Sequence, residues 1–326
     1  MTLDIIVPRY KEPWEVCHYL FDTIVAQRGV PLDLIHVYVV NDGKDVLDKS
    51  VFDGYPYKID YLVKEHNGVS AARNYGLKQS DADYVMFCDI DDGFLSNYGL
   101  HLVFSAMQEG FDFIYSNFVE ETFDVNGNAT IMRHDSDLTF MHGKAYKRSF
   151  LLDNNILFDE RMTIHEDGYF NMVAYVEAKN KGKIKRIDTP FYLWRWNDNS
   201  VVRSNRQDFV LKTYEHVMLT RTGICEQLKK RGYKEEYVEA VCMTVLNSYY
   251  DFQKTSYHKP QNAKYLQTAK KEFKKFYQRY KTTFNNCTNQ KIAELMVAAR
   301  NTAVQNGMLI EQQDLKSFLW HIEYEV

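Results

Sequence analysis

Leu3 to Val7 is an apolar run interrupted only by Asp4 and stopped at Pro8, and it reads as a strand. Pro13 then opens a helix at its first position, with Gly29 as the stop. Leu34 to Val40 predicts a second strand, and the sharp turn Asn41-Asp42-Gly43 follows it directly. Ile59 to Val63 predicts a third. A loop with Asn67-Gly68 leads into a helix from Val69 to Lys78, and Tyr84 to Cys88 predicts a fourth strand that runs into Asp89-Ile90-Asp91-Asp92. From Gly110 to Asn199 the pattern mixes strands (Asp112 to Tyr115, Ile184 to Ile187, Phe191 to Trp196) with shorter helices.

Past Arg206 the texture changes. Glycine becomes sparse, Pro260 is the only proline, and apolar residues recur at three- and four-residue spacing over Val210–Leu228, Tyr237–Phe252, Tyr265–Phe276 and Ile292–Val304. The reading is an α/β domain over residues 1–205 followed by an all-helical domain over 206–326. Near-continuous apolar strands alternating with helices suit a mostly parallel sheet covered on both faces. Such sheets bind ligands outside the carboxyl ends of their strands, so Asp42 and the Asp89 turn fall where a ligand belongs.

Four segments carry candidate chemistry. Asp89, Asp91 and Asp92 put three carboxylates within four residues, and a hard cation such as Mg²⁺ or Mn²⁺ would offset their repulsion and bridge to a diphosphate. An Asp-rich loop capping the next helix through Asp92 or Ser96 would use the same residues. In Ser70-Ala71-Ala72-Arg73 the small side chains let a helix start press on the sheet, leaving Arg73 for a base or phosphate, or for a surface ion pair. Glu166-Asp167 opens a helix with Phe170, Val173 and Ala174 on its apolar face. The pair serves either as helix-start charge or as a general base. Tyr192 to Ser200 places Trp194, Arg195 and Trp196 before a polar loop, either beside a charged ligand or as core on one side and solvent on the other.

Bulk properties narrow the classes. A net charge of −4 offers no basic footprint for nucleic acid. Five scattered cysteines without a CxxC pair suggest neither a zinc site nor a disulfide framework. The start lacks the basic, longer apolar pattern of a signal peptide, and no window approaches the ~20 apolar residues of a membrane span. The expectation is a soluble cytoplasmic protein with reduced thiols.

In order, these elements resemble family 2 glycosyltransferases, the inverting enzymes of GT-A fold. Val7-Pro8-Arg9-Tyr10 is similar to that family's strand-Pro-x-Tyr opening, Asn41-Asp42-Gly43 to its Asp-Asp-Gly turn, and Asn67-Gly68 through Ala72-Arg73-Asn74 to its Asn-x-Gly…Ala-Arg-Asn segment. Asp89-Ile90-Asp91-Asp92 resembles its DxD, His142-Gly143-Lys144-Ala145-Tyr146-Lys147-Arg148 its Gly-Lys-x-Tyr-x-Arg stretch, and Glu166-Asp167 its catalytic acid pair. The resemblance implies a nucleotide pocket, usually for uridine, at Pro8, Tyr10, Asp42, Asn67 and Arg73, with Arg195 toward the diphosphate. It implies Mn²⁺ or Mg²⁺ on Asp89 and Asp91, and Asp167 as general base with Glu166 beside it. Lys11 and Asn41 depart from the pattern. The implied activity is transfer of a sugar from a nucleotide-sugar, a UDP-sugar by the resemblance, to an acceptor hydroxyl on a polysaccharide, teichoic acid or protein. A catalytically inactive nucleotide- or sugar-binding relative is the main rival; a nucleotidyltransferase would bring a Gly-rich triphosphate loop that Pro8 to Glu12 is not. The resemblance stops near residue 200, leaving the C-terminal helices for acceptor choice or a homo-oligomer face.

Overall fold

The computed structural model describes residues 1–124, 126–198, 208–305, 307, 309 and 313–326. Strand β1 (Leu3–Arg9) lies between β2 (Ile35–Asp42) and β4 (Tyr84–Phe87), parallel to both, and β3 (Lys58–Lys64) continues the parallel sheet beyond β2. In register Arg9 faces Asn41, and Asp42 faces Lys64, so the carboxyl ends of these strands share one edge. The acidic turn leaves β4 at that edge.

Period-two alternation along β1 sorts its side chains to two faces. Leu3, Ile5 and Val7 join a core with Cys17, Leu20 and Phe21 of α1 (Trp14–Val25) and with Leu100 and Val103 of α3 (Gly99–Gln108). Ile6 points the other way, to α2 (Val69–Gln79). Helix α1 is shorter than expected: Pro13 is its N-cap rather than its first turn, and it ends at Val25.

The second half of the sheet is mixed. Strands β5 (Gly93–Phe94), β6 (Phe113–Phe123), β7 (Ala129–His134), β8 (Lys144–Lys147) and β9 (Ile184–Trp194) extend the order to β3-β2-β1-β4-β8-β6-β9-β5, with β7 paired on β6. Among the described residues four pairings of these strands are parallel and four antiparallel. Strands β6 and β9 are longer than their apolar runs suggest, and β9 passes through Pro190, joining two runs expected as separate strands. Between β8 and β9 lie α4 (Arg148–Asp153) and α5 (Glu166–Lys181). Helices α1 and α2 on opposite faces, and a sheet parallel in its first four strands, give the GT-A-type α/β architecture expected.

Met1–Asp198 and Asn199–Val326 form two compact units. The expected boundary at 205/206 falls in residues 199–207, outside the described ones. The second unit contains helices Tyr214–Arg231, Lys234–Asp251, Ala263–Asn285, Asn289–Gln305 and Leu315–Tyr324 around its own core, which includes Tyr214, Val245, Phe273 and Phe318. The last helix is too short to stand out as a periodic stretch. Among the described residues no helix is long and apolar enough to cross a membrane.

Close approach of α2 to the sheet depends on Gly76. A Cβ there would lie 2.4 Å from Ile6 Cγ2 and 3.3 Å from Val40 Cγ2. Gly76→Val should therefore destabilise the first unit by about 1–3 kcal/mol through overpacking. Thermal unfolding reads this directly, and an unchanged midpoint would contradict the packing described.

Candidate active site

The acidic turn contains acids of different depth. Asp92 is 1% exposed, its Oδ2 accepting from Tyr192 Oη at 2.9 Å and its Oδ1 from the Arg195 backbone N–H at 3.0 Å. These bonds fasten the turn to the end of β9. Burial drives the Asp92 carboxyl well above the carboxylate range, with Asp91 and Asp89 adding to the effect. Asp91 is raised too, by burial and then by Asp89, while its Oδ2 accepts from the Asn197 amide at 2.7 Å. Asp89 keeps 34% of its side chain exposed. Arg195 lies against the turn, its guanidinium 4.0 Å from the centre of the Tyr19 ring and Nη1 3.4 Å from the Asp91 carbonyl. Asn199 and Ser200, which close the Trp-Arg segment, lie outside the described residues.

Behind the turn sits His142, the residue before Gly143 and Lys144. Its ring stacks between Tyr192 and Phe140, with centroids 5.0 and 5.5 Å away. Burial holds the imidazole neutral, lowering its pKa to about 3. Nδ1 is 3.5 Å from Asp92 Oδ2 and has no hydrogen-bond partner among the described residues. Ligand atoms of Asp89, Asp92 and His142 all lie within 4.8 Å of one another, a grouping the DxD spacing does not foresee.

The acid pair reaches the same place from far along the chain. Glu166 and Asp167 occupy the first turn of α5, after His165 in a left-handed conformation (φ 62°). Glu166 is 8% exposed. Asp167 Oδ2 accepts from the Met141 backbone N–H at 3.3 Å. Burial raises the Asp167 carboxyl well above its ordinary value; Arg73 opposes this, and Glu166 and Asp89 reinforce it.

Arg73, expected at the base or phosphate, is 2% exposed, and three carboxylates surround it. Nη1 donates to Glu166 Oε1 at 2.8 Å and to Asp167 Oδ1 at 2.7 Å, and Nη2 to Asp89 Oδ1 at 2.8 Å. Burial works against its charge, but Asp167, Asp89 and Glu166 outweigh it and hold the guanidinium firmly protonated. Without the guanidinium these buried carboxylates would lack a compensating charge, which is costly in a low-dielectric site.

Pro8, Tyr10, Asp42 and Asn67 gather at a second corner of the same edge. Asp42, 3% exposed, accepts from Lys64 Nζ at 2.6 Å and from the backbone N–H groups of Asn67 and Gly68 at 2.9 and 2.8 Å. Burial pushes its carboxyl up, yet Lys64 and these donors prevail and keep it below the usual range. The exposed Tyr10 ring stacks on His66 at 4.5 Å. Gly43 lies under the same ring, where a Cβ would be 3.1 Å from Tyr10 Cε2. A cavity of about 480 Å³, lined by residues that include Lys64, His66, Asn67 and Lys78, opens beside this corner. Asn41 also has a local explanation: its Oδ1 accepts from Arg9 and from Tyr61 Oη while its amide donates to the Gly43 carbonyl at 2.9 Å, a combination an ionised Asp cannot supply.

Two further residues support the acid pair. Asn171, one turn beyond Asp167, donates to the carbonyls of Thr139 and Phe140 at 3.0 and 2.9 Å. Lys144, fully buried, donates to the carbonyls of Phe140 and His142 and so fixes the loop whose Met141 N–H meets Asp167. A polar residue at the apolar face of α5 was the sequence signal for Asn171; Lys144 offered none beyond its motif.

A parallel sheet edge that gathers a strand-end acidic turn and a helix-borne acid pair places the protein in the GT-A class of α/β folds. A model of Glycosyl transferase family 2 matches residues 4–165. The chain belongs to that family. It is similar to the uncharacterized glycosyltransferase EpsJ of Bacillus subtilis, 27% identical over 223 residues, which are 61% of this chain and 62% of EpsJ. It is also similar to the poly(ribitol-phosphate) β-N-acetylglucosaminyltransferase TarS of Staphylococcus aureus, 23% identical over 276 residues, or 78% of this chain and 45% of that protein. The chain thus spans about half to three-fifths of the length of these two relatives. The crystal structure of S. aureus TarS 1–349 superposes with a TM-score of 0.59 at 20% identity, covering 94% of this chain and 89% of that one. The same TarS fragment in complex with UDP-GlcNAc gives 0.52 at 18% identity, covering 94% and 93%.

Lys144 yields a pH prediction. Burial lowers its pKa to about 8, so the folded chain binds that proton less tightly than the unfolded chain, where lysine titrates near 10.4. The cost is complete below pH ~8 and fades as pH rises toward ~10.4. The stability of wild type relative to Lys144→Met should therefore rise across that window, by on the order of 3 kcal/mol in all. Denaturant melts of both proteins at pH 7.5 and 10 test it; a constant difference would contradict the burial of a charged amine.

Proposed function

We propose that this chain transfers a sugar from a UDP-linked donor to a hydroxyl of a polyol-phosphate or polysaccharide acceptor, with inversion at the anomeric carbon. The observation that carries the proposal is the meeting of Asp89, from the acidic turn, with Glu166 and Asp167, from the helix start, on one guanidinium. A donor-side acid and a candidate base thereby face a common space. The family match, and the relatives named for acetylglucosaminyl transfer and solved with UDP-GlcNAc, support the donor and acceptor classes.

The nucleoside would lie at the Tyr10 corner, where the exposed ring offers a stacking face and Asp42 and Asn67 supply polar contacts. The acidic turn fits a hard divalent cation, Mn²⁺ or Mg²⁺. Its carboxylates exceed the positive charge beside them, and burial leaves two of them above their ordinary range. Asp89 and Asp91 would hold the ion, since both oxygens of Asp92 already accept from Tyr192 and Arg195. When bound, the cation offsets diphosphate charge as a Lewis acid. Arg195 adds a positive charge at the same turn. Asp167, its carboxyl raised above the ordinary value by burial, would as the carboxylate take the proton of the attacking hydroxyl. Asn171 and Lys144 would keep the 139–142 carbonyls turned away from it. Five free cysteines, four of them buried, suit the reducing cytoplasm.

Two variants test the reading with UDP-GlcNAc and Mn²⁺. Asp167→Asn should lower turnover by about 100-fold or more while UDP-GlcNAc affinity, from titration calorimetry, changes less than about threefold. Turnover preserved within about tenfold would remove Asp167 as the base. Asp91→Asn should abolish Mn²⁺-dependent UDP binding whereas His142→Gln retains it. The reverse result would move the ion to Asp89, Asp92 and His142.

A further inference from the structure

Ser70, Arg73 and Asn74 stand at i, i+3 and i+4 on α2, hence on one helical face. Ser70 and Asn74 bond to the segment that leads into α5, and Arg73 to the first turn of α5 itself. Ser70 Oγ donates to the Met162 carbonyl at 2.9 Å. Asn74 Nδ2 donates to the Phe158 carbonyl at 2.9 Å, and its Oδ1 accepts from the Phe158 N–H at 3.0 Å. Between them Arg73 lies with its guanidinium carbon 5.3 Å from the centre of the Phe158 ring. Its two terminal nitrogens diverge: Nη2 to Asp89, 16 residues on, and Nη1 to Asp167, 94 residues on.

We propose that Arg73 is the positioning residue of the site: one planar, immobilised guanidinium sets the distance and mutual orientation of the donor-side acid Asp89 and the candidate base Asp167. This inference rests on the transferase reading above. Three features carry it. The guanidinium fork fixes the angle between its bonds, which a single ammonium cannot do. The Ser70 and Asn74 bonds flank Arg73 and dock the α5 approach onto α2, so the fork is held from both sides. Finally, Arg73 is the cation shared by Asp89, Glu166 and Asp167, and its removal leaves three crowded acids without it. An arginine that merely gripped the nucleotide would need an exposed end, and this one is 2% exposed.

Arg73→Lys and Arg73→Gln in the full chain separate the roles. With UDP-GlcNAc and Mn²⁺, Arg73→Lys should lower kcat by about 100-fold or more with KM for UDP-GlcNAc within about threefold, because misplacement acts on the reacting geometry. Arg73→Gln should do the same or worse. A KM raised tenfold with kcat unchanged would put Arg73 on the donor and overturn the proposal. A thermal-unfolding cycle of wild type, Arg73→Gln, Asp167→Asn and the double variant needs no turnover. Neutralising Asp167 should recover at least about 3 °C of the midpoint lost in Arg73→Gln. Additive shifts would show that the pair is not coupled, and would overturn the proposal. Absence of wild-type turnover with UDP-GlcNAc, with the cycle still coupled, would count against that donor and leave the arginine's placement standing.

Discussion

Removing a carboxylate from water costs free energy unless another charge or several donors replace the lost hydration, and the cost rises when carboxylates are crowded. The first unit meets this cost repeatedly along one edge of its sheet. Asp42 has Lys64 and two backbone N–H groups, Asp92 has Tyr192 and the Arg195 N–H, and Asp89, Glu166 and Asp167 share Arg73. These arrangements differ in completeness. Asp42 is satisfied to the point of a lowered pKa, whereas Asp91, Asp92 and Asp167 remain raised. The edge thus carries a stored demand for positive charge, greatest where the acidic turn meets the helix start.

The sheet makes such crowding possible because its strand ends are set by main-chain pairing, which is indifferent to what side chains follow. Parallel pairing of β1 through β4 delivers Asp42 and the acidic turn to one edge. Antiparallel β8 then reverses the direction, and parallel pairing of β9 on β6 returns Tyr192 and Arg195 to the acidic turn. The Tyr192 hydroxyl both accepts from the Asp89 N–H and donates to Asp92, so a single side chain from β9 closes the turn of β4.

The amphipathic and apolar runs of the first 90 residues disclosed β1 to β4 and α2 nearly to their ends, because each run is short and closed by a turn. The later strands were less legible for identifiable reasons. β7 is exposed through Arg133, β5 has two residues, and Pro190 breaks the apolar run of β9 although the strand continues through it. In β6 the buried Ser116, Asn117 and Glu120 interrupt the hydrophobic pattern, which hides the strand's length. At the site, spacing disclosed which residues are acidic and at which strand or helix end they lie. It did not disclose partners. Nothing in the local sequence of Arg73 specifies Asp167, and the polar row of Ser70, Arg73 and Asn74 acquires its meaning only from the partners the fold supplies.

The depth of each acid then follows from its partners. Asp92 is paired with a phenol and an amide, neutral donors that cannot travel, inside a wall of His142, Tyr192 and Phe140; it is suited to fixing the turn. Asp89 is paired with a guanidinium on one side and keeps a third of its side chain open on the other. An acid held on one side and exposed on the other can take up a second cation without losing its place, whereas an acid satisfied all round cannot. Asp167 has the same one-sided character, with Arg73 on Oδ1 and a long bond from the Met141 N–H on Oδ2. Chemistry at this edge is therefore expected where satisfaction is incomplete, at Asp89 and Asp167, and the buried arginine between them is what keeps two half-satisfied acids from relaxing apart.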